Sequence, residues 1–417
     1  MEPRTAPRTG HRPGATRYDV IVVGARCAGS PTAMLLARKG YRVLLADRAS
    51  FPSDKVSTHY MTIPGVARLA SWGLRGDVAA SGCPPILRTT LDIGDVTLSG
   101  SPPPLDGVAE QYCVRRTVLD QILVEAAVDA GAELRERFVV EELILDDDQV
   151  AGVEGRDGAG TVATERAGLV VGADGLHSVV ARAVGASTYA ERPSLTCFAY
   201  AYWGGVALDG AELHLRDGRA IFAFPTNDGL ACIGMEWPAT QARAFRADVE
   251  GNYLETLRLA PGLAARVRSG SREGRFVATA DLPNYFRTPH GPGWALVGDA
   301  GYHKDPLLAQ GISDAFRDAE LLATAIDDGL SGRRPLEAAL AGYEATRNRA
   351  AMPAYELNAE LARLRLPARI RQLVRSVAGS QEATDRFLGV IAGSVPVAAL
   401  EAQSDQRSPD EATRVTR

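Results

Sequence analysis

The sequence predicts a discontinuous α/β fold: a parallel sheet wrapped by helices, an antiparallel sheet inserted into it, and a helical C-terminal part. Three observations predict it. A strand–turn–helix–strand pattern begins at Tyr18. Alternating apolar and polar stretches run from about Leu195 to Met235. Buried-strand character returns at Trp294–Gly298, and helical spacing follows from Ala309.

Taken in order, Tyr18–Val23 (YDVIVV) is a short apolar run rich in β-branched residues, the pattern of a buried parallel strand. Gly24–Gly29 (GARCAG) reads as a tight turn. Ser30–Lys39 puts Ala33, Leu36 and Ala37 on one helical face, and Gly40 stops it. Arg42–Ala46 is a second apolar strand, ending at Asp47. At about 30 residues, this unit has the size of one mononucleotide-binding βαβ. A short helix is predicted at Ile63–Trp72 and a hairpin at Leu87–Leu98 around Gly94-Asp95. A long helix follows at Thr117–Ala130, then strands through Leu134–Val139, Val150–Gly155 and Leu169–Val171. The stretches CFAYAYW, ELHLR, AIFAFP and LACIGM alternate as an antiparallel sheet does. The predicted domains are a disordered tail (1–17), a dinucleotide-binding domain (18–80 with 100–185 and 275–330) and an inserted substrate-binding sheet (81–99 with 186–274). C-terminal helices (331–402) and a frayed tail (403–417) complete the chain.

Composition narrows the function. The chain has 417 residues, 46% hydrophobic and 23% charged, the balance of a packed globular protein. No apolar run approaches the ~18 residues of a bilayer span, and residues 1–17 hold no apolar signal-peptide core. The formal charge of −5 lacks the basic footprint of a nucleic-acid binder. Neither nucleic acid nor membrane is an expected partner. Five cysteines, none in C-x-x-C spacing, argue against a disulfide framework or a metal site and fit a reducing cytoplasm. Lysine occurs only at positions 39, 55 and 304.

Three motifs carry the chemistry. The turn Gly24-Ala25-Arg26-Cys27-Ala28-Gly29 is followed by Asp47. In dinucleotide folds such glycines allow a tight turn, a pyrophosphate sits at the helix N-terminus, and an acid after the second strand bonds a ribose hydroxyl. Arg26 replaces the usual second glycine, so either the pyrophosphate sits further out or the guanidinium helps hold it. The second motif is Val170-Val171-Gly172-Ala173-Asp174-Gly175. The third is Trp294-Ala295-Leu296-Val297-Gly298-Asp299, continuing to Pro306 and Gly311.

In this order the motifs resemble those of FAD-dependent monooxygenases of the p-hydroxybenzoate hydroxylase type, and of the related flavin halogenases and geranylgeranyl reductases, over roughly Tyr18 to Asp327. The resemblance implies an α/β FAD-binding domain that is Rossmann-like and of the glutathione-reductase type. Gly24, Gly29 and Asp47 would hold the adenosine half of FAD, with Arg26, Ala28 and Arg48 beside them. Arg115 stands where the family places an arginine near the cofactor, or is a surface charge at a helix start. Asp174 lies in the stretch that serves FAD and the approach of a nicotinamide. Gly298 and Asp299 would meet the ribityl chain. Pro306, Ala309, Gln310 and Gly311 would pass the isoalloxazine, their N–H groups stabilising negative charge. The family often has a glycine where this chain has Leu308.

Four residues are candidates for catalysis. Lys55 and Lys304 either hold an anionic flavin or acidic substrate, or are solvated. His59 and His303 either orient a phenol or shuttle a proton, or are structural. Phe198, Tyr200 and Tyr202 share one face of a strand, as do Phe222 and Phe224. Such rows pack a core or line a pocket for a flat apolar substrate.

No second glycine-rich nicotinamide fold follows the first. NAD(P)H would therefore visit transiently, or a separate flavin reductase would supply electrons. The resemblance implies a cytoplasmic monooxygenase of bacterial secondary metabolism, such as antibiotic biosynthesis. It would use O2, through a flavin C4a-hydroperoxide, to hydroxylate or epoxidise an aromatic or polycyclic small molecule. The W-x-W-x-I-P signature of tryptophan halogenases is missing, and Arg88 occupies the region of their lysine. Halogenation, isoprenoid double-bond reduction, and an FAD-containing cyclase or binding subunit without net redox chemistry are the alternatives.

Overall fold

The computed structural model describes residues 18–399. The expected tails, and residues 400–402 of the expected helical part, lie outside the described residues. Strand β1 (Tyr18–Val23), helix α1 (Gly29–Ala37) and strand β2 (Val43–Ala46) come first. The hairpin β3 (Thr89–Asp92) and β4 (Thr97–Gly100), helix α2 (Arg116–Asp129) and strand β5 (Val162–Gly172) follow. Next are β6 (Thr196–Gly204), β7 (Ala211–Arg216), β8 (Arg219–Pro225), β9 (Ala231–Pro238) and β10 (Ser271–Thr279). Strand β11 (Trp294–Leu296) precedes helices α3 (Gly311–Leu330), α4 (Leu336–Leu361), α5 (Ala368–Val377) and α6 (Gln381–Ile391).

The first sheet runs β11–β5–β1–β2, flanked by Glu133–Arg135 and His290–Gly291, and these four strands are parallel. Their near-continuous apolar character follows from burial on both faces. The register sets Val23 beside Gly172 and beside Ala46, and Gly172 beside Leu296. The three motifs therefore leave the sheet at the same, C-terminal edge, where open α/β sheets bind ligands.

At that edge backbone meets backbone. Gly24 has φ +104°, and a Cβ there would stand 2.4 Å from the Ala173 carbonyl oxygen. A Cβ on Gly29 would stand 1.7 Å from the Gly24 carbonyl oxygen, and one on Gly298 2.7 Å from the Ala28 methyl. The motifs are thus mutually packed.

The second sheet runs β10–β6–β9–β8–β7–β3–β4. All pairs are antiparallel except β7 with β3, which places Leu213 beside Leu91. The period of two divides its faces. Phe198, Tyr200, Tyr202, Phe222, Phe224 and Cys232 form one cluster with Tyr60, Cys113 and Ala309. Trp203, Ile221, Ile233, Met235 and Trp237 pack on the other face under three short helices between 242 and 268. The indole N–H groups of Trp203 and Trp237 donate to Tyr253 Oη (3.0 Å) and Thr256 Oγ1 (2.9 Å). Each such buried side chain contributes roughly 1.5–3 kcal/mol. Two expectations need correcting. The sheet runs to Thr279, past the boundary at 274, because β10 pairs with β6. Residues 242–268, expected as part of the inserted sheet, are a helical cover. Helices α5 and α6 close the far end, packing Val374, Phe387 and Leu388 against Leu91 and Leu98.

Gly29→Ala is expected to lose soluble, folded protein, since neither backbone at its contact can retreat. Gly76→Ala, in the short helix Arg75–Ala80 with open space around it, is expected to be neutral or more stable by about 0.5–1 kcal/mol. Thermal melting of both variants checks this contrast, and a normal melt for Gly29→Ala would contradict it.

Candidate active site

The glycine turn carries a cationic rim. The buried Asp120 of α2 accepts from Arg26 Nη1 (2.5 Å) and from Arg116 Nε and Nη2 (2.9 and 3.0 Å). One carboxylate thus serves two guanidinium groups, leaving an excess of positive charge. Arg26 Nη2 also donates to Ser53 Oγ at 2.8 Å. Surrounding protein, then Arg26, Arg48 and Arg116, hold the Lys55 ammonium below the usual lysine range. Lys55 and Arg48 are exposed, so this charge faces outward. Asp47 shapes the turn from within: its carboxylate accepts from the Ala25 N–H (2.7 Å) and the Ala49 N–H (2.8 Å).

Asp299 leaves β11 with an exposed carboxylate whose charge is felt by buried Arg116. Asp174 points into its own chain and caps the following turn, accepting from Ser178 Oγ (2.5 Å) and the Val179 N–H (2.6 Å). Burial raises its carboxyl above the usual range against those bonds.

The loop after Asp299 is clamped from both ends. Buried Lys304 donates to Gln310 Oε1 at 2.8 Å and pairs with Asp314 Oδ2 at 2.7 Å. Despite burial, Lys304 and then Arg317 hold Asp314 down at about 2. The solvated alternative for Lys304 is therefore wrong: it braces the turn Pro306–Leu308 and the N-terminus of α3. Ala309 sits at φ +49°, and Gly311 opens α3 with empty space where a Cβ would lie. His303 turns elsewhere, its Nδ1 bonded to the Pro283 carbonyl and its ring beside Tyr285.

His59 is fully buried at φ +60°, with Nε2 2.5 Å from Tyr202 Oη. Its ring lies parallel to that of Tyr202 and edge-on to Tyr200. Burial, then Arg116 and Arg115, depress its pKa to about 3, so the imidazole is neutral. The Arg115 guanidinium lies 4.9 Å from the Tyr202 ring centroid and pairs with Asp228. His59 Nδ1 and Arg115 Nε are buried without a hydrogen-bond partner. Buried polar atoms without a partner mark places where a ligand atom completes the network.

A cavity of about 450 Å³, open space included, lies between the segment around His59, the clamped loop and the inserted sheet. Thr58 and Tyr60 line it from one side, Pro306 to Ala309 from another, and Phe222 and Phe224 from the sheet. Of the five aromatic candidates, the structure brings Phe222 and Phe224 to this cavity, whereas Tyr200 and Tyr202 pack around His59 and Phe198 stacks on Phe222. Arg88 is exposed and donates to Ser99 Oγ, outside the cavity lining.

Sequence reasoning missed Arg116, Asp120, Glu236 and Asp305. The Arg-Arg doublet at the start of α2 was the available signal for the first. Glu236 gave one: a lone acid on the aromatic face of β9, where alternation calls for an apolar residue. It is fully buried with both carboxylate oxygens unpartnered, and burial, then the charge of Asp305, pushes it well above the usual range. Asp305 opens the clamped loop, accepting from Thr196 Oγ1 (2.7 Å) and the Leu307 N–H (3.2 Å). Burial raises it to about 6, against those bonds and the influence of His303.

The profile of the family described as FAD binding domain matches residues 17–247. Digeranylgeranylglycerophospholipid reductase 1 of Methanococcoides burtonii is 26% identical over 321 residues, covering 74% of this chain and 73% of the relative. Among solved structures, the myxobacterial FAD-dependent halogenase CndH superposes with a TM-score of 0.76 at 23% identity, covering 87% of this chain and 90% of that one. PqsL of Pseudomonas aeruginosa, a probable FAD-dependent monooxygenase, has a TM-score of 0.68 at 23% identity, covering 89% and 99%. At such identities the two structures speak for the fold. Among the described residues, no helix is long and apolar enough to cross a membrane.

The raised Asp305 carboxyl makes stability fall with pH. A group whose folded pKa lies above its unfolded value of about 4 stabilises most below that value, and the contribution is lost as pH rises through about 6. Asp305→Asn removes this dependence. Its melting temperature relative to the parent protein is expected to rise between pH 5 and pH 7.5. Calorimetry at the two pH values checks this; a constant gap would mean that Asp305 does not titrate there.

Proposed function

Since the chain belongs to the FAD binding domain family, we propose that it is an FAD-dependent monooxygenase acting on an aromatic or polycyclic small molecule. The observation that carries this reading is the shared cavity, which gathers the segment after the βαβ unit, the clamped loop and the Phe222–Phe224 row. The residues fit the cofactor. Glycines 24, 29 and 298 let the three motifs pack against one another at one sheet edge, and Arg26, Arg48, Lys55 and Arg116 suit a pyrophosphate there. Asp299 is free to bond a ribityl hydroxyl, and the N–H groups at the start of α3 suit an anionic ring edge. FAD, when bound, supplies electron storage and oxygen activation. The chain supplies the rest: Phe222 and Phe224 stack a flat substrate, Pro306 to Ala309 exclude water, and the neutral His59, held by Tyr202, offers its unpartnered Nδ1. NAD(P)H, or a separate reductase, would deliver the electrons.

Reduction of a carbon–carbon double bond is the second reading, favoured by the likeness to a digeranylgeranylglycerophospholipid reductase. Exposed Arg88 and the missing tryptophan signature speak against halogenation.

Asp299→Ala is expected to stay folded and retain FAD ten- to a hundredfold less tightly, from a charge-assisted bond of about 1.5–3 kcal/mol. Flavin fluorescence titration measures this, and unchanged affinity would displace Asp299 from the ribityl site. Reaction type is read by mass under heavy-isotope oxygen gas with bromide present. One labelled oxygen per product is the expected outcome. Bromine in the product would sink the oxygenase reading, and gain of two hydrogens would favour the reductase.

A further inference from the structure

A second, apolar cavity lies beside the first. It encloses about 670 Å³ of empty space, its mouth included, between the sheet and the C-terminal helices. Leu213, Leu307, Leu308 and Ile391 line both cavities, so these four aliphatic side chains form the wall the two share. Leu361, Leu366, Ile370 and Phe387 are among the further walls. Gln310 is the one polar lining residue among those described, and its amide oxygen is already held by Lys304 at 2.8 Å. A chamber with no free polar partner discriminates against hydroxylated or charged matter, because groups entering it lose water without replacement. Methylenes gain by the same transfer.

Resting on the reading that the first cavity holds the reacting ring, we infer that the leucine chamber binds a long aliphatic chain attached to that ring and so sets the substrate's chain length. The chain would cross that shared wall beside Leu308, displacing its side chain, and extend towards the partly exposed Leu366 and Ile370. Most of the lining comes from residues 307–397, outside the segment matched by the family profile. The chamber is therefore a property of this chain's C-terminal helices. The chain's own residues 403–417 (QSDQRSPDEATRVTR) are polar and charged, a poor match for an aliphatic lining.

The test is calorimetric binding of 4-n-alkylphenols, from methyl to decyl, to the FAD-loaded full-length protein. Affinity is expected to rise about fourfold per methylene, the equivalent of ~0.8 kcal/mol for a buried CH₂, until the chamber is filled. The readout is the ratio of decyl to methyl affinity. Ile370→Trp and Leu366→Trp replace half-buried mouth residues and are expected to cut that ratio at least tenfold; flavin absorbance confirms that each variant is folded. A parent ratio near one, or a ratio untouched by both variants, overturns the inference. So does a tenfold gain in the ratio on deleting residues 403–417, which would make the tail the occupant. Decylphenol binding that responds to both variants while 4-methylphenol fails to bind would remove the aromatic reading and leave the chamber standing.

Discussion

Everything at the site depends on how closely backbone approaches backbone at the C-terminal edge of the parallel sheet. Gly29 rests on the Gly24 carbonyl, Gly24 on Ala173, and Gly298 on the Ala28 methyl. These contacts bring three sequence motifs, spread over more than two hundred residues, into one surface. Because carbonyl and Cα atoms set the separation, side-chain adjustment cannot compensate for a lost glycine. The cationic rim and the free Asp299 carboxylate inherit their positions from this contact. A ligand reaching across the edge meets groups from β1, β2 and β11 at once.

The inserted sheet solves a different problem, presenting two apolar faces to two different partners. Strict alternation sends Trp203 and Trp237 under the helical cover and Phe222 and Phe224 towards the cavity lined by Pro306 to Ala309. Glu236 breaks the alternation on the cavity-side face. Its partner in charge, Asp305, begins the loop that Lys304 braces. Sheet and loop thus communicate through a pair of buried carboxyls, which disfavour simultaneous ionisation in a low-dielectric setting.

Much of this was legible in the sequence. The βαβ unit was read from its apolar strands and glycine turn because local spacing determines both. The three motifs fell in order, and the parallel register explains why their order matters. The helical cover at 242–268 was not legible, because its residues pack against a sheet face that only the tertiary structure defines. The same holds for Lys304, whose burial comes from Gln310 and Asp314 closing round it. The aromatic row could be read as far as its shared face. Which members would line a cavity depended on where His59 drew Tyr202, a contact between residues 143 positions apart.

The order of the strands also bears on how the chain is made. The hairpin β3–β4 must wait for β7, its parallel neighbour more than a hundred residues later, and β5 gains its second parallel neighbour, β11, only near residue 294. During synthesis from the N-terminus, both sheets therefore expose unpaired edges until most of the chain has emerged. Non-local parallel pairing of this kind is slow and leaves apolar strands open to other chains. The surface that gathers the three motifs is thus incomplete until β11 joins, and the nascent protein is most open to wrong pairing while that surface is still half built.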